Sequence, residues 1–136
     1  MVLGEKLWEE KGRIIGMSIK SIGPEGVRME QTFTSEFKGL GRFPNGRNIG
    51  TFEGMMTPSG LDSGSGQGIC TAEDGDTVVW KAYSMGRSKE GKSKGVLIIQ
   101  FMTTKKLSWL NRLIVVYDTI ADLKTMEFIG TGYEWK

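Results

Sequence analysis

Hydrophobic and polar residues alternate along much of the chain with the period of a β-strand. In residues 27–38 the apolar side chains fall on alternate positions, with polar or charged side chains between them, and residues 77–83 repeat this more loosely. Residues 95–102 and 113–117 are apolar on both faces. A period of two is typical of half-buried strands, and a strand with two apolar faces is covered on its outer side as well. The pattern therefore predicts β-structure, with one short helical turn within residues 105–112.

Seven turn signals divide the chain into eight segments. They are rich in Gly, Pro, Asn and Asp, which preset or permit the backbone angles of tight turns. They lie at residues 23–26, 39–46, 57–60, 73–76, 88–92, 104–112 and 121–124. Short segments at this spacing indicate an all-β fold, and closure of the sheet removes its exposed edges. We predict an eight-stranded antiparallel up-and-down β-barrel, formed by residues 1–136 as a single domain.

Glycine is unusually frequent, with 20 residues spread along the chain. Gly64, Gly66 and Gly68 stand on one face of a predicted strand, where they leave that face without side chains. A dinucleotide-binding loop would need a helix directly after the glycines, and a turn follows here instead. Glycine within a strand usually marks sharp curvature or close approach of another group. We therefore interpret these glycines as positions where a narrow barrel bends.

Composition excludes several kinds of chemistry. The 136 residues include 18 Lys and Arg, 16 Asp and Glu, one Cys and no His, and the formal net charge is +2. The absence of His excludes His-based metal sites, serine-protease triads and imidazole catalysis. A single Cys excludes an internal disulfide framework and fits a reducing compartment. We expect a cytoplasmic protein, because no signal peptide precedes the first charged residues. We also expect Cys70 to be buried and unpaired, and we expect no metal site and no cofactor.

Two classes of partner are disfavoured. Basic residues are dense between positions 81 and 112, but an up-and-down barrel places residues 87–94 at one end and residues 105–112 at the other. Two solvated clusters are expected rather than one nucleic-acid footprint. The longest clean apolar run, residues 113–117, is far shorter than the roughly 20 residues that span a bilayer. We expect neither nucleic acid nor a membrane as a partner.

Polar side chains within the apolar strand patterns form the candidate ligand site. Gln31 and Ser35 share the apolar face of the first alternating segment, Gln100 lies in a strand that is apolar on both faces, and Tyr117 ends another. A buried amide or hydroxyl needs a hydrogen-bond partner, which a neighbouring strand or a bound ligand can supply. Aromatic residues beside them either fill the core or line a pocket. The ligand-binding hypothesis comprises Gln31, Phe33, Ser35, Trp80, Gln100 and Tyr117.

Three carboxylates are candidates for acid–base chemistry. Glu36, Glu53 and Asp118 lie in or at the end of predicted strands, although alternation points Glu36 outward. Cys70 has no His to act as its base, and a lone Cys is typically a small buried hydrophobe. The sequence therefore assigns no catalytic residue.

The second half of the chain carries several short motifs. They are Gly66-x-Gly68, Thr71-x-x-Asp74-Gly75, Lys106-Leu107-x-x-Leu110-Asn111 and the terminal Tyr133-Glu134-Trp135. They resemble a widespread group of small bacterial and archaeal proteins with no assigned activity, in which Trp stands at the position of Tyr133. The group is more distantly similar to calycin-like barrels of the allene oxide cyclase-like and lipocalin-like kinds. That resemblance implies a barrel that holds an apolar ligand, and for the cyclase a trimeric isomerase of a fatty-acid epoxide.

The predicted barrel is compatible with three functions. The first is the binding of a small apolar molecule inside the barrel. The second is an isomerase or cyclase that uses the same cavity, and the third is an oligomeric structural or interaction domain with a filled interior. A cavity that holds a carboxyl of perturbed pKa favours the enzyme. A packed interior favours the third function.

The two strands with apolar side chains on both faces predict self-association. Whichever face of residues 95–102 and 113–117 points inward, the other forms an apolar band on the outside. Soluble monomers rarely expose a contiguous apolar patch of more than a few hundred Å². Residues 104–112 could cover part of the band but are too short to cover both strands. We expect a homo-oligomer, with a dimer as the commonest closed assembly, whereas the cyclase resemblance implies a trimer.

Overall fold

The computed structural model describes residues 3–136, which form a closed antiparallel β-barrel of eight strands. Each strand pairs with its neighbours in sequence, and the last pairs with the first. The strands are β1 (Leu3–Gly23), β2 (Gly26–Gly39), β3 (Gly46–Met56), β4 (Leu61–Ala72), β5 (Thr77–Lys89), β6 (Lys92–Phe101), β7 (Val115–Asp122) and β8 (Glu127–Trp135). A 3-10 helix, Lys105–Arg112, joins β6 to β7. The predicted up-and-down barrel and its seven connections are confirmed.

The connections give the barrel two different ends. The open end carries the hairpin turns β1–β2, β3–β4, β5–β6 and β7–β8. The closed end carries the β2–β3 and β4–β5 connections and the 3-10 helix. Leu107 and Leu110 of the helix are buried, and Phe43 of the β2–β3 connection stacks on Trp8 with ring centroids 4.6 Å apart. Apolar side chains therefore fill the closed end.

The motifs of the second half hold the closed end together. Asn111 of the 3-10 helix accepts a hydrogen bond from the backbone N–H of Thr103 at 2.8 Å and donates one to its carbonyl at 2.7 Å. Lys106 forms ion pairs with Asp74 and Asp76 of the β4–β5 turn. These contacts tie the helix to the last residues before it and to the neighbouring turn. The structure thus gives the shared motif residues Asp74, Lys106 and Asn111 a structural role.

Two inward-facing glycines are required by aromatic rings that lie flat against the barrel wall. A Cβ at Gly68 would lie 2.5 Å from the Trp80 ring, and a Cβ at Gly132 would lie 2.5 Å from the Trp8 ring. Real Cβ atoms do not approach other atoms this closely, so a larger residue would displace the ring. On the glycine face of β4, aromatic rings therefore occupy the space beside Gly66 and Gly68.

No helix within residues 3–136 is long and apolar enough to cross a membrane. The two basic clusters predicted from the sequence lie at opposite ends of the barrel. One is in the β5–β6 hairpin at the open end, and the other is in the 3-10 helix at the closed end.

Candidate functional site

The open half of the barrel encloses a cavity of about 500 Å³. Phe33 is central to its wall, with its ring centroid 5.6 Å from that of Phe128, 5.9 Å from that of Phe52 and 6.1 Å from that of Trp80. The remaining wall residues combine aliphatic and methionine side chains with glycines and short polar side chains. A concave, mostly apolar space of this size is typical of small-molecule sites.

Methionines surround the mouth of the cavity. Six of the eight methionines in the chain line the cavity, and they are Met17, Met29, Met55, Met56, Met85 and Met126. Methionine is unbranched and polarizable, so it adapts its shape to different apolar partners. The mouth can therefore accommodate an apolar body without a fixed outline.

Glu10 lies at the base of the cavity, where it is only 8 % exposed. Alternation along β1 points Glu10 inward together with Trp8, while Glu9 and Lys11 point to solvent. Burial disfavours the charged form of a carboxyl, and it raises the pKa of Glu10 above its ordinary value. Hydrogen bonds from neighbouring side chains offset part of this effect.

Three side chains hold the Glu10 carboxyl in place. Trp8 donates from Nε1 to Oε1 at 2.9 Å, the Ser35 hydroxyl donates to Oε2, and Asn48 donates from Nδ2 to Oε2 at 3.5 Å. Asn48 is oriented in turn, because its Oδ1 accepts a hydrogen bond from Trp80 Nε1 at 2.9 Å. The carboxyl therefore belongs to a network contributed by β1, β2, β3 and β5.

Tyr117 is the second polar group at the base. Its ring crosses β8 at Gly130, where a Cβ would lie 2.0 Å from the Tyr117 hydroxyl oxygen. Gly130 is the register partner of Glu10 in the β1–β8 pair, so the tyrosine reaches towards that carboxyl. Within residues 3–136 the buried hydroxyl has no hydrogen-bond partner of ordinary geometry. Burial raises the pKa of Tyr117 well above its ordinary value, and the negative charge of Glu10 adds to this effect.

Cys70 lies beside this network, in surroundings that disfavour its thiolate form. It is buried and forms no disulfide, as predicted from the sequence, and its thiol donates to Asn48 Oδ1 at 3.3 Å. Burial, followed by the charge of Glu10, raises the pKa of the thiol far above its ordinary value. A thiol that stays protonated is a poor nucleophile.

The structure brings together most of the residues predicted from the strand patterns. The cavity lining includes Gln31, Phe33, Trp80 and Tyr117. Ser35 is buried behind Glu10 and hydrogen-bonds to it. Gln100 lies on the outer face of β6 and is exposed, because its neighbours Ile99 and Phe101 point into the core. Gln100 is therefore not part of the cavity.

The carboxylates considered for acid–base chemistry are all exposed. Glu36 and Asp118 point to solvent, and Glu53 lies at the exposed rim of the cavity. The buried carboxyl is Glu10, which was not among the sequence candidates. A signal for it was present, since residues 8–14 alternate and Glu10 is the one charged residue on the face that carries Trp8. No group of three or more Cys, Asp or Glu side chains suited to a metal ion occurs in the described part of the chain.

No protein-family model matches the chain, and no curated protein matches it by sequence. Solved structures match it along almost its full length. A protein of unknown function from Clostridium acetobutylicum ATCC 824 is 14% identical, with a TM-score of 0.85 and 100% of both chains covered. A beta-barrel like protein from Acinetobacter baumannii AYE is 17% identical, with a TM-score of 0.81 and 99% and 96% covered. The chain shares the fold of small, uncharacterised barrel proteins.

One further neighbour is described as an enzyme. It comes from Penicillium herquei, is 14% identical, and superposes with a TM-score of 0.75 over 96% of this chain and 92% of its own. At such identities the likeness establishes the fold alone. The likeness to the Clostridium and Acinetobacter proteins agrees with the resemblance to small uncharacterised barrels that the sequence motifs indicated.

Proposed function

We propose that this barrel binds a small, neutral and mainly apolar molecule in its interior. The observation that carries this proposal is the cavity of about 500 Å³, which has aromatic walls, a methionine mouth and a polar base. Ligand sites typically combine such apolar walls with a few placed polar groups. A barrel filled by its own side chains would leave no such space, so the cavity argues against a purely structural role.

The charges around the cavity argue against an anionic ligand. Among the lining residues that the structure describes, Glu10, Glu53 and Asp62 are acidic and none is Lys or Arg. One oxygen of Asp62 accepts a hydrogen bond from Ser88 at 2.5 Å, and the other is buried without a partner among residues 3–136. A carboxylate brought into this space would lose its hydration and gain no opposite charge. The ligand class is therefore neutral, in contrast to a fatty-acid anion.

A pair of alkyl compounds tests this charge preference. We expect dodecanol to displace the fluorescent apolar probe N-phenyl-1-naphthylamine from the protein at neutral pH, and dodecanoate to compete at least about tenfold more weakly, a difference of about 1.4 kcal/mol. The two compounds share one chain and differ in the charge of the headgroup. Equal or stronger competition by dodecanoate would contradict a neutral ligand.

Filling the cavity with one added side chain tests its location. Gly95 faces inward, and a Cβ there would meet only ordinary contacts, the nearest being the Met85 carbonyl oxygen at 3.4 Å. We expect Gly95→Leu to weaken binding of N-phenyl-1-naphthylamine at least about tenfold while the circular dichroism spectrum stays that of the native barrel. Lys94→Leu places the same side chain on the outer face and is the matched control, with unchanged binding.

Self-association is a second proposal, and exposed apolar side chains on β5 and β6 favour it. Tyr83 is 68% exposed and pairs in register with Ile98, which is 56% exposed. The 3-10 helix does not cover them, because its Leu107 and Leu110 are buried in the closed end. We propose that a second copy of the chain covers this band in a symmetric dimer.

Sedimentation equilibrium at micromolar concentration tests the dimer. We expect twice the chain mass of 15.1 kDa for the native protein and the single mass for Ile98→Lys. Ile49→Lys is the control, since Ile49 is similarly exposed but lies on β3, and it should leave the dimer intact. A native species of 15.1 kDa would refute the assembly, and a trimeric mass would favour the arrangement implied by the cyclase resemblance.

A further inference from the structure

We propose that the cavity is also a proton-transfer site, in which Glu10 removes a proton from a carbon next to the carbonyl group of an apolar ketone and Tyr117 holds the resulting enolate oxygen. This inference rests on the proposed binding of a neutral apolar molecule. It adds a reaction class, the keto–enol interconversion or double-bond migration of such a ketone.

The two groups occupy the same place in the barrel. Glu10 and Tyr117 both line the base of the cavity, and both are at least nine-tenths buried. The Tyr117 ring reaches its position by crossing β8 at Gly130, the register partner of Glu10. A substrate that enters from the open end therefore meets a carboxyl and a phenol side by side.

The Tyr117 hydroxyl lies against the Glu10 carboxyl, and after burial the charge of Glu10 contributes most to raising the pKa of Tyr117. Within the described chain it makes no hydrogen bond of ordinary geometry, so it can turn from Glu10 to a ligand. An unpartnered buried hydroxyl costs about 1–3 kcal/mol. A carbonyl oxygen would satisfy it, and the hydrogen bond would strengthen as that oxygen gains negative charge in the enolate.

Glu10 is positioned to accept a proton. Its carboxylate offers about four acceptor sites, and three are engaged by Trp8, Ser35 and Asn48. The fourth site faces the Tyr117 hydroxyl, and it accepts the substrate proton once that hydroxyl donates to the substrate oxygen. The three donors are positioning residues, because they fix the carboxyl before the substrate arrives and so remove the cost of arranging it during the reaction.

The reaction balances without a further reactant. The carboxylate of Glu10 takes the proton from the α-carbon, and the electron pair of that C–H bond moves into the C–C bond as the carbonyl electrons move onto oxygen. The Tyr117 O–H donates to this oxygen. The protonated Glu10 then returns its proton either to the same carbon or to the far end of a conjugated double bond, which restores the carboxylate.

The direction of the pKa shift of Glu10 suits a general base. Burial raises the pKa of Glu10, which makes its carboxylate a stronger base than an exposed one. The titratable groups that face it are Tyr117 and Cys70, and the pKa of each is also raised, so both stay neutral while Glu10 titrates. The reaction rate should therefore rise with pH through the raised pKa of Glu10 alone.

Hydrogen–deuterium exchange of 2-tetralone tests the proposal. This neutral bicyclic ketone carries α-hydrogens, and their loss in deuterium oxide is followed by proton nuclear magnetic resonance. We expect the native protein to accelerate exchange over buffer, and Glu10→Gln to lose at least about a hundredfold of that acceleration. Tyr117→Phe keeps the ring over Gly130 and should lose about a hundredfold as well, because it removes one oxyanion donor.

Binding is measured separately, so that the two proposals fail in different ways. Competition of 2-tetralone with N-phenyl-1-naphthylamine reports occupancy, and we expect Tyr117→Phe to retain it. If Glu10→Gln does not fold, the rise of the native rate with pH and the Tyr117→Phe result still decide the matter. Displacement without accelerated exchange, or no displacement by the ketone, overturns proton transfer and leaves the binding proposal standing. Failure of the fluorescent probe itself to bind overturns both.

Discussion

Leu110→Ala is expected to lower the free energy of unfolding by about 2–5 kcal/mol. Leu110 has no exposed surface and belongs to the core of the closed end, where the 3-10 helix crosses the barrel. Truncation removes the transfer free energy of the lost methine and two methyl groups, and it leaves a void that the surrounding rings fill only in part. Urea denaturation followed by tryptophan fluorescence measures the loss as a lower midpoint with an unchanged slope.

Leu61→Ala is the matched control for this change. Leu61 is 44% exposed and begins β4 at the open end, so the same truncation there should change stability by less than about 0.5 kcal/mol. Equal losses in the two variants would show that the helix does not close the barrel as described. Ligand binding in Leu110→Ala should persist below the denaturation midpoint, since the cavity opens at the other end.

Gly68→Ala is expected to lower the free energy of unfolding by about 1–3 kcal/mol, although it adds a single methyl group. The new Cβ would lie 2.5 Å from the Trp80 ring and 2.6 Å from the backbone carbonyl oxygen of Ile49. The carbonyl belongs to a paired strand and cannot move freely, so the strain falls on the ring. Displacing Trp80 also removes its hydrogen bond to Asn48. Chemical denaturation gives the size of the loss, and the near-ultraviolet circular dichroism of tryptophan reports the change at the ring.

Gly16→Ala is expected to raise the free energy of unfolding, in contrast to Gly68→Ala. A Cβ at Gly16 would meet nothing closer than the Thr32 Cβ at 3.9 Å, and Gly16 has no left-handed backbone angle. Replacing such a glycine reduces the conformational entropy of the unfolded chain and typically stabilises a protein by about 0.4–1 kcal/mol. A similar destabilisation in both variants would indicate that strand propensity, rather than contact with Trp80, determines the effect.

The barrel could be predicted from the sequence because turns and alternation are local signals. Pro, Gly, Asn and Asp at the seven connections act on their own backbone, and the structure has a connection at each of those places. The short helix between β6 and β7 was predicted in the same way. Packing between distant segments was not needed for any of these assignments.

The base of the cavity was harder to predict because it depends on contacts between distant strands. Glu10 lies in a segment rich in Glu, Lys and Arg, where a single buried carboxyl is masked by its charged neighbours. Its donors come from residues 8, 35 and 48, which only the closed barrel brings together.

Gln100 illustrates the opposite difficulty. Both faces of its strand are apolar, so alternation alone did not show which one points inward.

The separation of the barrel into a packed end and an open end has a consequence for how such proteins diversify. The 3-10 helix, Trp8 and Phe43 stabilise the frame at one end, whereas the four hairpins and the methionines surround the cavity at the other. Substitutions or insertions in the hairpins can alter which molecules enter, and they carry little cost in folding free energy. The frame itself tolerates extensive change in sequence, since solved neighbours keep this barrel at 14–17% identity.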